Sequence, residues 1–236
     1  MKRARGSRSW ALAAWLAVSI VVLSPAHAGP AAQTPPPKLA SQPVRSAAEL
    51  TRLFAQLAGI ASLHATFAES KKITLLIKPL ASSGELYFHR ELGLARMTMA
   101  PSPQKVVLTG KTLSLWDGRV VRHTALADAR EVAAIATAFP MLLRGDQAGL
   151  ARLFRLELRG DVAAWWMLTL TPQRGSLAKM LRNIVIVGQG RNIYALEVSE
   201  ANGDQTRTVF DNVVVNGAMN ADAQKTWFAM PTSGPL

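Results

Sequence analysis

The chain has 236 residues, a formal net charge of +12 at pH 7 and no cysteine. The lack of cysteine excludes a disulfide framework, a thiolate nucleophile, a cysteine-ligated zinc site and lipid attachment to a cysteine. A basic chain can bind nucleic acid, but these arginines are scattered singly, without interleaved aromatic residues. Two interpretations of the charge stay open: a solvated arginine-rich surface, or attraction to anionic lipid headgroups or an acidic membrane partner.

Residues 1–28 have the pattern of a secretory signal peptide. Four basic residues precede an apolar run from Trp10 to Leu23, and Ala26-His27-Ala28 is an Ala-x-Ala cleavage site. The apolar run is too short for a confident membrane span. Cleavage after Ala28 would leave a net charge of +8, because the signal holds four of the 27 basic residues and none of the 15 acidic ones. The pattern predicts an exported, periplasmic protein.

Residues 29–45 contain five prolines and predict a disordered, Pro-rich linker. The remaining residues, 46–236, have the length of a single domain with a sizeable core. Ser46-Ala-Ala-Glu49 fits a helix capping box, and the apolar residues that follow recur at helical spacing up to about Gly59. An amphipathic helix is therefore predicted at the start of this domain.

The segment from Ser62 to His123 has the pattern of an antiparallel meander. Apolar residues occupy alternate positions at Leu63, Ala65 and Phe67, which is the period of a strand with one buried face. Further short runs of this kind follow, each separated from the next by turn-forming Gly, Pro, Ser and Asp residues. This region therefore predicts a curved sheet whose concave side is either packed core or ligand cavity.

Two more helices and five strands are predicted after the meander. Asp128-Ala-Arg-Glu131 fits a second capping box, the helix that follows is expected to kink or end at Pro140, and a short helix is expected from Gln147 to Leu153. Five strands are predicted between Phe154 and Val215. About ten or eleven strands with two or three helices predict a mainly β, α+β fold, an open antiparallel half-barrel with helices lidding its mouth.

Enzyme motifs are missing from the sequence. Three histidines follow the signal (His64, His89 and His123), and none has a partner at metal-ligand spacing. His64 and His89 alternate with apolar strand residues, so both are expected to face solvent. No serine elbow, HExxH helix or phosphate loop is found. Neither a catalytic residue, a metal site nor a cofactor is predicted, and a hydrolase with an unrecognised site is kept as a distant alternative.

Several strand motifs together resemble a known family. They are Leu63-His-Ala-Thr-Phe67, Gly84-Glu-Leu-Tyr-Phe-His-Arg90, Pro101, Gly110-Lys-Thr-Leu113 and Trp116, with weaker agreement from Trp166 to Phe228. The chain resembles the LolA family, periplasmic carriers that move lipoproteins toward the outer membrane. Glu91, Leu94 and Arg96 differ from the family pattern, which implies a divergent member, such as the type encoded beside lipid or aryl-polyene biosynthesis enzymes.

The resemblance implies an acyl-chain cavity, a helical lid and a release switch. The cargo would be a lipoprotein or lipid, received from an inner-membrane ABC exporter or other donor and passed to an outer-membrane receptor. The expected wall residues are Leu63, Phe67, Leu86, Phe88, Val106, Leu108, Trp116, Leu168 and Leu170. The expected lid residues are Leu53, Phe54, Leu57, Val132, Ile135 and Phe139. Arg90 matches the arginine that couples lid opening to ligand handover.

Each apolar wall residue could equally be ordinary packed core. The preferred hypothesis is a monomeric carrier that performs no covalent chemistry. The alternative is a periplasmic lipid-sensing or lipid-binding module of the same fold without transfer activity.

Overall fold

The computed structural model describes residues 38–173, 175–218 and 220–231. The predicted signal peptide and residues 29–37 of the predicted linker lie outside the described residues. Within the described ranges, no helix has both the length and the apolar content needed to cross a bilayer.

Eleven strands form one antiparallel sheet in the part of the chain that is described. The strands are β1 Ser62–Lys72, β2 Leu80–His89, β3 Gly93–Ala100, β4 Gln104–Thr109, β5 Thr112–Trp116, β6 Val121–Ala125, β7 Phe154–Gly160, β8 Trp165–Pro172, β9 Leu181–Gln189, β10 Asn192–Glu200 and β11 Gln205–Val215. Their order is β6-β5-β4-β3-β2-β1-β11-β10-β9-β8-β7, so each strand pairs with its chain neighbour except where β1 pairs with β11. The sheet is open, with β6 and β7 at its two ends, which confirms the predicted fold class.

Four helices accompany the sheet in the described residues. They are α1 Ala47–Leu57, α2 Arg130–Leu143, α3 Gln147–Leu153 and α4 Ala221–Phe228. The cap of α1 forms as predicted, because Ser46 Oγ accepts a hydrogen bond from the Glu49 amide. Asp146 caps α3 in the same way by accepting from the Gly149 amide at 2.8 Å. The sequence did not predict α4.

The start and end of α2 differ from the prediction. Residues Leu126–Asp128 form a 3-10 turn, and the helix begins at Arg130 without a side-chain cap, so the predicted capping box at Asp128 does not form. The helix also does not end at Pro140. Proline removes only one amide donor, and the following turn still closes through the bond from the Arg144 amide to the Pro140 carbonyl at 3.0 Å.

The described part of the predicted linker, residues 38–45, contacts the sheet. Leu39 is buried within a 3-10 turn, Val44 forms a β-bridge with Arg159, and the Arg45 amide donates to the Leu158 carbonyl at 2.7 Å. These contacts cover part of the free edge of β7, which would otherwise expose unpaired backbone groups.

Alternation along the strands gives the sheet two distinct faces. Apolar side chains of one face form the main core cluster together with Leu53, Phe54 and Leu57 of α1 and with the buried side of α2. We call this the concave face and the other the convex face. A smaller cluster of Leu39, Val187 and Ala195 lies apart from the main core.

Candidate functional site

The concave face is lined by one continuous apolar cluster. Every predicted wall residue except Trp116 belongs to it, as do all six predicted lid residues of α1 and α2. Each of these side chains is buried, because the helices cover the face directly. In this arrangement the wall is packed, and an acyl chain would have to replace contacts that α1 and α2 now make.

Trp116 lies on the convex face, so its prediction as a wall residue is wrong. In the antiparallel register Val106 faces Leu115 and Lys105 faces Trp116, and opposite residues share a face. Leu115 belongs to the main core cluster and Trp116 does not. The sequence misleads here because Leu115 and Trp116 are adjacent and both buried, so alternation alone could not assign their faces.

Two small pockets lie between α2 and the concave face. The first has room for only about 30 Å³ and the second for about 10 Å³. Phe139 borders both pockets and stacks on Phe210 with ring centroids 5.8 Å apart. The other predicted residues that border a pocket are Phe67, Leu86, Ile135 and Leu170. These volumes are far below the roughly 300 Å³ at which ligand sites begin, so a long acyl chain requires α2 to move.

A buried ion pair interrupts the apolar lining of the first pocket. Arg96 Nη2 lies 2.9 Å from Glu69 Oε1, and the Arg96 guanidinium lies 4.3 Å from the ring centroid of Phe67. Thr208 donates to Glu69 Oε2 at 2.7 Å and Ser82 donates to Oε1 at 3.3 Å. Because both charges are paired and hydrogen-bonded, the pair can be tolerated away from water.

Sequence reasoning missed Glu69 and noted Arg96 only as a departure from the family. The signal was available, because Glu69 continues the alternation of Leu63, Ala65 and Phe67 and therefore shares their face. A charged residue at an inward position is normally read as the end of the buried stretch. Here the partner sits on β3, too far along the chain for periodicity to identify it.

A second polar group lies next to the pocket, because Lys71 is the strand partner of Thr206, which lines it. Lys71 Nζ lies 3.7 Å from Glu200 Oε1, and the Thr206 hydroxyl is buried without a hydrogen-bond partner among the described residues. Burial raises the pKa of Glu200 above its usual range, and the nearby Lys71 partly opposes that rise.

Arg90 connects the rim of the sheet to both lid helices. Its guanidinium donates to the carbonyls of Ala58 and Ile60, the latter at 2.7 Å, and to the Arg144 carbonyl at 3.3 Å. Arg144 Nε donates in return to the Arg90 carbonyl at 3.1 Å. These carbonyls follow the C-terminal ends of α1 and α2, where the helix dipole favours a cation. Burial and the charge of Arg90 lower the pKa of Arg144.

The convex face carries an aromatic cluster beneath α4. His64 stacks on Tyr87 with ring centroids 4.1 Å apart. Trp227 of α4 also stacks on Tyr87, with ring centroids 3.4 Å apart. Glu85 Oε2 lies 2.9 Å from His64 Nε2. Burial, together with the charge and hydrogen bond of Glu85, raises the pKa of Tyr87 to about 12. His64 is therefore partly covered rather than fully solvent-facing as predicted.

No group of three histidine, aspartate or glutamate side chains is placed to hold a metal ion in residues 38–173, 175–218 and 220–231. Glu69, the carboxylate that lines the first pocket, is instead paired with Arg96.

The family of the chain is shown by comparison with known proteins. The family model described as "Outer membrane lipoprotein carrier protein LolA-like" matches residues 42–229, so the chain belongs to this LolA-like family. No curated protein matches the sequence.

Three solved structures illustrate the range of similar chains. A LolA superfamily protein from Nitrosomonas europaea is 10% identical, with 76% of this chain and 97% of that chain covered and a TM-score of 0.40. The lipoprotein LppX of Mycobacterium tuberculosis is 13% identical, with coverages of 75% and 100% and a TM-score of 0.41. The MucA/MucB complex of Pseudomonas aeruginosa contains a chain that is 16% identical, with coverages of 73% and 59% and a TM-score of 0.40.

Proposed function

We propose that this protein is a soluble periplasmic carrier that binds the acyl chains of a lipoprotein or lipid and transfers them from the inner toward the outer membrane. It performs no covalent chemistry. Its partners are the acylated cargo, an inner-membrane ABC exporter or other donor, and an outer-membrane receptor. Membership of the LolA-like family supports the class of activity.

The observation that carries the proposal is the continuous apolar cluster between the concave face and the two helices α1 and α2. An acyl chain gains about 0.8 kcal/mol for each methylene that leaves water. A carrier must therefore offer a large apolar surface when loaded and hide it when empty. Helices that cover the wall through side-chain packing, and that are held at their ends by Arg90, can do both.

Release requires the empty and loaded states to be close in free energy, because a ligand shifts two states only by its differential affinity. We assign the role of release switch to Arg90. Its hydrogen bonds to the ends of α1 and α2 are formed while the helices cover the wall, so they favour the empty state and oppose retention of cargo.

A second candidate is a lipid-binding or lipid-sensing module without transfer activity. The buried Glu69–Arg96 pair favours it, because fixed polar groups in an apolar pocket orient one particular ligand. A general carrier of varied acyl chains has less use for such groups.

The experiment uses delipidated protein that lacks residues 1–28 and a fluorescent long-chain fatty acid as the probe. We expect saturable binding of the probe, followed by its movement to acceptor liposomes when these are added. Binding without movement supports the sensing module. Failure to bind the probe, or other single- and double-chain acyl probes, contradicts both candidates.

A further inference from the structure

The loop between β1 and β2 presents apolar side chains to solvent. Leu75 is 93% exposed, Leu76 is 44% exposed and Ile77 is 102% exposed. Three consecutive large apolar residues at one loop tip are unusual on a soluble protein and mark a surface that meets something apolar. The acyl cavity does not use them, because they lie outside the main core cluster.

The backbone of this loop is held in place. The Thr74 amide donates to Asp204 Oδ1 at 2.9 Å, and the Thr74 hydroxyl donates to the Asn202 carbonyl at 3.4 Å. The Leu76 amide donates to the Ile73 carbonyl at 2.9 Å, which closes a turn at the tip. The β10–β11 turn thus supports the loop from one side while Leu75 and Ile77 project outward.

Charged residues around the loop favour an anionic partner. Lys72 and Lys78 flank the apolar tip and are both exposed. Of the nearby carboxylates, Glu200 faces Lys71 at 3.7 Å, whereas Asp204, which accepts from the neutral Thr74 amide, offsets one of these two lysines. Positive charge is therefore left uncompensated beside the apolar residues.

We propose that residues 72–78 form a membrane-docking loop that inserts Leu75 and Ile77 into the interface of a bilayer containing anionic lipid. Lys72 and Lys78 contact the headgroups while the apolar tip enters the boundary of the acyl chains. This combination of a small apolar insertion with flanking basic residues is the arrangement that interfacial membrane binding uses. A protruding tip suits a soft bilayer better than a preformed protein groove.

The docking loop lies at the same end of the sheet as the polar end of the first pocket. Lys71 and Glu69 of β1 lead from the loop to that pocket, whereas Arg90 lies at the opposite end of the β1–β2 hairpin. Docking would therefore bring one end of the pocket toward the bilayer and leave the Arg90 contacts free to open away from it. The docking itself does not depend on the proposed carrier function.

The test is sedimentation of the protein with vesicles of phosphatidylcholine alone and with vesicles that also contain phosphatidylglycerol. We expect binding to the anionic vesicles that weakens at high salt. Leu75→Ser/Ile77→Ser should weaken that binding at least about tenfold. Lys72→Gln/Lys78→Gln should remove the preference for phosphatidylglycerol.

Val214→Ser is the matched control, because Val214 is also an exposed apolar residue, at 49%, and lies on β11 away from the loop. It should bind anionic vesicles like the unmodified protein. Equal binding by the Leu75/Ile77 variant would overturn the proposal. Failure of the unmodified protein to bind either vesicle would also overturn it, and the loop would then serve a protein partner.

Binding of the fatty-acid probe in solution should be unchanged in the loop variant. If the unmodified protein docks on vesicles but does not bind the fatty-acid probe, the carrier function is refuted and the docking proposal is not.

Discussion

Arg90 is the residue whose contacts connect most directly to the proposed cycle. One guanidinium reaches the carbonyls of Ala58, Ile60 and Arg144, and so links β2 to the ends of two helices. A lysine could not bond three carbonyls in this spread arrangement, because it lacks the planar fork of donors. The contacts are formed with α1 and α2 on the wall, and for that reason we propose that Arg90 favours the empty state.

Arg90→Leu should retain the acyl probe more strongly and release it more slowly. Hydrogen bonds to a charged group contribute about 1.5–3 kcal/mol, so their loss predicts an affinity at least about tenfold higher. The measurements are probe affinity and the rate of transfer to acceptor liposomes. Arg159→Leu is the control, because Arg159 also donates to a carbonyl, that of Gln42, and Gln42 lies outside both lid helices. Identical affinity and transfer in the two variants would refute the switch role.

The residues of the site differed in how far the sequence could identify them. The alternation in β1 correctly placed Leu63 and Phe67 on the buried face. It could not show that Glu69 is buried as well, because that depends on Arg96 arriving from β3. Trp116 was misplaced because it follows another buried residue, Leu115, in a strand that is covered on both faces.

Helix α2 is the element that decides how much space the cavity has. Its buried side includes Ile135 and Phe139, and both border a pocket against the sheet. Phe139 borders both pockets, and its ring packs on Phe210 of β11. A smaller side chain at this position should join the two pockets without removing the helix.

Phe139→Leu should therefore bind a long-chain acyl probe several-fold more tightly, at a stability cost of about 1 kcal/mol. Affinity is measured by titration of the fluorescent fatty acid, and stability by denaturant unfolding. Phe154→Leu provides the comparison, because Phe154 is fully buried yet borders neither pocket. It should lose similar stability with no gain in affinity. If both variants gained affinity equally, general loosening rather than pocket volume would be responsible.

The sequence predicted the helices α1 and α3 but not α4. The helices α1 and α3 have capping residues and apolar spacing, so local sequence defines them. Helix α4 has no fully buried residue and rests on the convex face mainly through Trp227 and the bond from Lys105 Nζ to the Thr226 carbonyl at 2.9 Å. Its position depends on the sheet already being formed. Because the segment is only weakly amphipathic, its sequence alone does not predict a helix packed on the sheet.

At the scale of the whole molecule, an open sheet covers its concave face with helices instead of closing on itself. Eleven strands twist too strongly to remain flat, and β6 and β7 stay unpaired with each other. The apolar interior is therefore sealed by α1 and α2, which side-chain packing and a few end contacts hold in place. The predicted fold follows from the number and alternation of the strands, whereas the small volume of the pockets depends on side-chain packing that no sequence pattern specifies.

The central claim is that α2 covers the apolar wall when the protein is empty and leaves it when cargo binds. Hydrogen exchange of the empty and the probe-loaded protein tests this most directly, because exchange reports local opening. We predict that amides of α2 exchange faster in the loaded protein, while those of β1 and β2 keep their protection. Unchanged or greater protection of α2 with the probe bound would contradict the account, because the ligand would then be held without displacing the helix.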